Sequence, residues 1–238
     1  MKVVFLSDIH ANFPALRAAL NRIDRLKVDS IIVAGDIIGR GPHPVEVIRH
    51  LKRQEVAAIR GNVENRLVEL HSEGKKLAKL LKKKKSKLAW TARQLTKAEW
   101  SYLEGLPRQL ELKLNGFDTL VVHGSPMSDS DFIYPSITTA ALKRKLQEKP
   151  LPGSTQILVC GHSHIPFSKS VAGMRVINCG AVGLPVDGDP RGSFAVCELT
   201  RPKTIRCRIV RFSYPVQDVV QDVEERGVPG IAPSDYFA

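Results

Sequence analysis

The chain has 238 residues, 43% of them hydrophobic, and a formal net charge of +12. That length can bury a substantial core in one domain, or in one domain carrying an insertion, and no apolar run approaches the roughly 20 residues of a membrane span, so it reads as soluble. Four cysteines, Cys160, Cys179, Cys197 and Cys207, lack metal-ligand spacing and lie in apolar stretches, which predicts reduced thiols in a cytoplasmic protein and argues against a disulfide-stapled scaffold.

The opening run MKVVFL has the look of a secretory leader, but Asp8 and His10 cut it short and no small-residue cleavage pattern follows. It is predicted to be a first strand, VVFLSDIH. Apolar residues at three- and four-residue spacing from Pro14 to Leu26 predict a helix, SIIVAGD a second strand, Pro44 to Leu51 a second helix, and VAAIRGN a third strand. This β-α-β-α-β opening implies parallel strands with crossover helices. Residues 67–110 read as helical, ending near Pro107, and from Gln109 onward the pattern is mostly strands, including TLVVHG and QILVCGHSH, with GLPVDGDPRGS (183–193) as a turn-rich connection. The expected organisation is a single domain over 1–238 with a helical, lysine-rich insertion at about 67–110.

That insertion carries eleven Lys/Arg against four Asp/Glu, a surplus of seven positive charges in under a fifth of the chain. Most of it is GKKLAKLLKKKKSK, residues 74–87. Leu77, Leu80, Leu81, Leu88 and Trp90 recur near helical spacing, so the run reads as an amphipathic helix with a solvated lysine face. An anionic partner such as nucleic acid is the sharper reading, but no aromatic interleaving or nucleic-acid motif supports it. Nothing in the sequence specifies an oligomer.

Five of the predicted strands end in polar residues: Asp8 and His10, Asp36, Asn62, His123, and His162 with His164. Ligands in such sheets bind beyond the carboxyl ends of the strands. A lone histidine there is usually structural, and a lone Gly-Asp or Gly-Asn is usually a turn. Together, two Asp, one Asn and four His make a nitrogen and oxygen donor set gathered from separate elements, as divalent cations require. One ion needs about four to six ligands, so seven suggest two ions sharing a carboxylate. The lack of cysteine in the set argues against a closed structural zinc site.

The ordered series Asp8-Ile-His10, Gly35-Asp36, Gly61-Asn62, His123-Gly124 and Gly161-His162-Ser-His164 resembles the signature of the calcineurin-like metallophosphoesterases. INCGAVGLPVDGDPRGSFAV (177–196) and RFSYPVQDVVQDVEERGVP resemble the closing strands and C-terminal segment of its bacterial and archaeal phosphodiesterase branch. The resemblance implies an α/β fold, a four-layer α/β/β/α sandwich of two mixed sheets. It implies one ion on Asp8, His10 and His164, another on Asn62, His123 and His162, and Asp36 bridging them. Manganese is the first choice by resemblance; iron, zinc, cobalt and nickel suit the same donors. The implied activity is two-metal hydrolysis of a small phosphate ester or nucleotide by a metal-bridging hydroxide, with Asp36, Asn62 and Arg40 as catalytic residues and a phosphodiester as the leading substrate class. GDIIGRGPHP (35–44) is similar to a loop of the phosphoprotein and diadenosine tetraphosphate phosphatases in which an arginine contacts substrate phosphate. Arg40 and Asn62 are therefore the substrate-binding candidates, and phosphomonoesters or dinucleoside polyphosphates the alternative substrates.

Many members of that family carry a histidine directly after the Gly-Asn, as the proton donor to the leaving oxygen. Here Val63 stands in its place and cannot donate a proton. Substrates with good leaving groups, a substitute donor such as water or His43, or a non-catalytic scaffold like the retromer subunit of this fold would each explain it. Asn12 is read as a helix cap, and His71 and Ser125, like His43, as surface or loop residues.

Overall fold

The computed structural model describes residues 1–147, 155–200 and 204–236. Its first half follows the predicted alternation: β1 (Lys2–Leu6), α1 (Phe13–Asp24), β2 (Ser30–Val33), α2 (Pro44–Arg53) and β3 (Ala57–Ala58). β1 pairs in parallel with β2, and β2 with β3. The sheet is completed by β9 (Gly192–Thr200) and β10 (Thr204–Phe212), giving the order β10-β9-β1-β2-β3, with β9 antiparallel to both its neighbours. A second sheet orders β4 (Leu110–Leu114), β5 (Phe117–Val121), β6 (Ile157–Cys160), β8 (Met174–Asn178) and β7 (Phe167–Val171). Its inner pairs are parallel and its outer pairs antiparallel. Both sheets are thus mixed.

Strand alternation sets the layering, because successive side chains leave a strand on opposite faces. Val3 and Phe5 of β1 enter a core shared with Val121, Ile157 and Val159 of the second sheet, so the two sheets pack face to face. Val4 and Leu6 point the other way, into a core with Leu16 and Ile23 of α1 and Val47 and Leu51 of α2. On the far side, Leu158 and Cys160 of β6 and Val176 of β8 pack with Leu142 of α7 (Thr139–Gln147). Three cores separate four layers, the expected α/β/β/α sandwich.

Between β3 and β4 lie α3 (Asn62–Ser72), α4 (Gly74–Leu81), α5 (Lys87–Gln94) and α6 (Lys97–Gly105). The lysine-rich run is therefore not one amphipathic helix. α4 stops at Leu81, and Lys82 to Ser86 form a connection whose exposed lysines have no apolar residue to seat them against the core. Leu77, Leu80, Leu81 and Leu88 do pack as predicted. Two later helices, α7 and α8 (Val216–Glu225), interrupt the segment predicted to be mostly strands.

The cysteine expectation is corrected in part. Cys197 and Cys207 are register partners on β9 and β10 and form a disulfide, while Cys160 and Cys179 are free and buried. The pairing depends on hairpin register, which residue spacing alone does not display, and it removes half the basis for a cytoplasmic assignment. Among the described residues no helix is long and apolar enough to cross a membrane.

Candidate metal centre

All seven ligand candidates stand just past strand ends, where the two sheets face each other. Asp8 and His10 follow β1, Asp36 follows β2, and Asn62 follows β3 as the first residue of α3. His123 follows β5, and His162 and His164 follow β6. Their donor atoms fall into two groups, Asp8 with His10 and His164, and Asp36 with His123 and His162, each within 4.8 Å of one another. Asn62 joins the second group, its Oδ1 3.1 Å from His123 Nε2.

The backbone bends sharply to present these side chains. Asp8, His10, Asp36, His162 and His164 all adopt left-handed conformations, with φ of 53°, 49°, 48°, 62° and 58°. Such conformations cost non-glycine residues about 1–3 kcal/mol each and persist only where the surroundings impose them. Here they are imposed by a lattice of main-chain bonds: Asp8 N to Gly35 O, His10 N to Asp36 O, Val182 N to Ser7 O and Gly183 N to Asp8 O, all at 3.0–3.1 Å. Close approach also demands glycine. A Cβ on Gly61 would sit 2.1 Å from Asp36 Oδ1, and one on Gly161 would sit 1.9 Å from Ser7 Oγ.

Two imidazoles are oriented by main-chain carbonyls. His123 Nδ1 is 2.8 Å from the Ala34 carbonyl and His164 Nδ1 is 2.5 Å from the Leu184 carbonyl. A carbonyl can only accept, so both Nδ1 atoms carry hydrogen and both Nε2 atoms turn inward, the arrangement that orients metal-ligating histidines. His164 Nε2 lies 3.1 Å from Asp8 Oδ1 and 3.0 Å from His10 Nε2. Asp36 faces both groups: Oδ2 is 3.7 Å from His10 Nε2 and Oδ1 is 3.4 Å from His123 Nε2.

The electrostatics call for positive charge between these groups. Burial pushes the Asp8 and Asp36 carboxyls upward, yet the neighbouring histidines, His164 foremost for Asp8 and His123 for Asp36, hold both below the usual carboxylate range. Burial lowers His123 as well, but the Asp36 carboxylate outweighs it and raises the ring to about 10. His10 is driven the other way, to about 4, by burial, with the positive charges of His164 and Arg40 adding to it and the carboxylates of Asp36 and Asp8 opposing. Asp8 Oδ1 and His10 Nδ1 are buried without hydrogen-bond partners. Two buried carboxylates, one with an orphaned oxygen, gathered with the inward-turned Nε2 atoms of His123 and His164, make a donor set that a cation satisfies. The residues present therefore fit a pair of divalent ions.

Other candidates divide. Arg40 is exposed on the loop between β2 and α2. Asn12 caps α1, accepting from Ala15 N, and donates to the Gly183 carbonyl at 2.9 Å, so it also ties the Asp8–His10 loop to the loop between β8 and β9. His43 pairs with Asp222 at 2.9 Å, His71 with Glu104 at 2.7 Å, and Ser125 Oγ with Asp131 at 2.6 Å; none of these joins the ligand groups.

Sequence reasoning missed Glu64 and Asn178. Glu64 is fully buried and accepts from Gly61 N at 2.8 Å and Ile38 N at 3.0 Å, joining the Asp36 and Asn62 loops. Burial and the nearby Asp36 carboxylate raise its carboxyl to about 7. Its signal was legible as the third residue after a helix-opening glycine, the reciprocal half of a capping box. Asn178, at the end of β8, donates to the Gly161 carbonyl and to Ser163 Oγ, bracing the loop that carries His162 and His164.

An α/β/β/α sandwich with paired carboxylate and histidine groups where its two sheets meet is the fold and site of a metallophosphoesterase. The calcineurin-like phosphoesterase superfamily domain matches residues 1–201, and the chain belongs to that superfamily. It is similar to a metallophosphoesterase from Sphaerobacter thermophilus, with 28% identity, a TM-score of 0.76, and 96% of this chain and 95% of that one covered. An uncharacterized protein of Methanocaldococcus jannaschii is 24% identical over 245 residues, covering 95% of this chain and 93% of its own. A symmetrical bis(5'-nucleosyl)-tetraphosphatase from Buchnera aphidicola subsp. Schizaphis graminum is 33% identical over 75 residues, which is 30% of this chain and 28% of that protein.

Proposed function

We propose that the protein hydrolyses phosphodiesters using two divalent ions, one held by Asp8, His10 and His164, the other by Asn62, His123 and His162, with Asp36 shared. The observation that carries this reading is the two-faced contact of Asp36, whose oxygens address His10 and His123 separately. When bound, such a pair of ions neutralises phosphate oxygens and supplies a nucleophilic water at neutral pH. Manganese is the expected metal.

The chain's own residues do the rest. The inward Nε2 atoms of His123 and His164 are preset by the Ala34 and Leu184 carbonyls, so little ordering is left for the moment of binding. Asn62 stands at the N-terminal, positive end of α3, where the next N–H, that of Val63, donates to Asp36 Oδ1 and so steadies the carboxylate beside it. Arg40, exposed and close enough to depress His10, meets phosphate with a planar fork of donors. Val63 offers no proton to the leaving oxygen, which favours esters of acidic alcohols and phenols. The helical, lysine-rich segment at about 67–110 is read as an insertion within one domain, peripheral to the chemistry.

A second reading, hydrolysis of dinucleoside polyphosphates, is favoured by Arg40 and by the local likeness to a tetraphosphatase. Metal analysis of purified protein, with a screen of p-nitrophenyl mono- and diesters and diadenosine tetraphosphate, separates the readings. Asp36→Asn should lose both metal occupancy and nearly all turnover. Two retained ions with normal turnover would overturn the shared-carboxylate assignment.

A further inference from the structure

The segment from His123 to α7 is held firmly. Asp131 accepts from Ser125 Oγ at 2.6 Å, from Lys145 Nζ at 2.5 Å and from Phe132 N at 2.9 Å, and Asp129 accepts from Asn65 Nδ2 at 2.7 Å. Asn65 lies on α3, so this loop is tied to the helix that begins with Asn62. Ile133 is fully buried, an anchor in the core between β6, β8 and α7. On either side of that anchor, Phe132 and Tyr134 are 42% and 43% exposed. This out-in-out alternation is an extended display with its middle residue pinned, so the exposure of the two rings is set by the backbone.

The rings lie against each other and against the site. Phe132 stacks on Tyr134 with centroids 5.4 Å apart and planes 8° apart, and on His162 at 4.4 Å and 28°. His162 in turn meets His123 edge to face at 5.1 Å. A continuous row of rings therefore runs from the candidate metal centre out to solvent. Val186, 51% exposed, stands on the loop whose Leu184 carbonyl fixes His164. Among the described residues, Met1, Phe132, Tyr134 and Val186 are the exposed large hydrophobic side chains, and two of those four, Phe132 and Tyr134, belong to the loop that also carries His123.

We propose that Phe132 and Tyr134 form an aromatic subsite that stacks the planar ring of the substrate's organic group, so that the ester hydrolysed here is a nucleotide-like one carrying a base. This inference rests on the phosphoesterase reading, since it is the phosphate held at the ions that brings the ring alongside His162. The chemistry is complementary along its length: the candidate ion site and Arg40 for the phosphate, then the solvent-facing surface of the Phe132–Tyr134 pair for a planar group. Every base has a π-face, so the row selects for a planar ring without selecting which one. A flexible apolar group would gain less, because the two rings present flat faces and a fixed spacing.

The test compares adenosine 5'-monophosphate with ribose 5-phosphate, which share the phosphate and sugar and differ in the base. Isothermal calorimetry on the manganese-loaded protein should show the nucleotide binding about tenfold or more tighter, the size of one stacked base. In Phe132→Leu/Tyr134→Leu, which keeps apolar bulk and removes the rings from an exposed position, that ratio should fall toward one through loss of nucleotide affinity. Tyr134→Phe should retain it. Equal affinities in the unmodified protein, failure to bind the nucleotide, or an unchanged ratio in the double variant would overturn the subsite. A normal ratio in a protein that hydrolyses no aryl ester would instead overturn the hydrolase reading and leave the subsite standing.

Discussion

Val63 donates its backbone N–H to Asp36 Oδ1 at 3.1 Å, while its side chain is directed at Gly39, where an added Cβ would come within 2.8 Å of Val63 Cγ1. The residue thus serves the Asp36 carboxylate through its main chain and supports the Arg40 loop through its methyls. Its amide does a ligand loop's work, and its side chain takes no part in proton transfer.

Loss of a general acid typically costs about 10²–10⁴-fold on poor leaving groups. Rates should therefore fall steeply from nitrophenyl to alkyl esters of similar size, measured as a series against leaving-group pKa with chemistry limiting. Val63→His should flatten that slope if the imidazole turns away from Gly39. Similar alkyl and aryl rates in the unmodified protein would mean that another group supplies the proton.

Arg40→Ala should reduce kcat/KM by a factor equivalent to roughly 1.5–3 kcal/mol, the value of a charge-assisted contact. Arg40 is exposed, so the melting temperature should not move. An unchanged specificity constant would return Arg40 to the role of a loop residue.

Glu64→Ala would leave the buried N–H groups of Gly61 and Ile38 without an acceptor. Each unsatisfied donor costs about 1–3 kcal/mol, so the midpoint of urea unfolding should drop measurably. Turnover should drop further than stability predicts, because the Asp36 and Asn62 loops lose their common tie. A variant as stable as the parent would show that water replaces the carboxylate.

Replacing Lys82, Lys83, Lys84 and Lys85 with glutamine should leave kcat/KM for a small aryl diester nearly unchanged, since these side chains are exposed on the α4–α5 connection. A loss that fades as salt is added would reveal long-range steering of anionic substrate.

The candidate ligands were readable as a group because each piece is local: a strand followed by Asp-x-His, Gly-Asp, Gly-Asn or Gly-His-x-His keeps its chemistry within a few residues. What escaped depends on distant pairing. The Cys197–Cys207 bridge needs the register of β9 on β10, and the role of Asn178 needs β8 beside β6. The end of α4 at Leu81 was hidden for another reason, since lysine has good helix propensity and only the lack of apolar residues after Leu81 lets the chain turn. The left-handed turns at Asp8, His10, Asp36, His162 and His164 were equally hidden, because the surrounding hydrogen bonds impose them against the residues' own preference.

Each ligand group draws on both sheets. His10 and His164, 154 residues apart in sequence, stand 3.0 Å apart across the line where the sheets meet, and Asp36 and His123 likewise come from opposite sheets. Ions seated there would act as rivets through the seam of the sandwich, holding its halves together as well as serving the reaction. Ligands that bind only the folded form stabilise it by mass action, so a chelator should soften the molecule before any substrate is added. Its melting temperature would then report metal supply, and the same loops that set turnover would set how long the protein survives when metal is scarce.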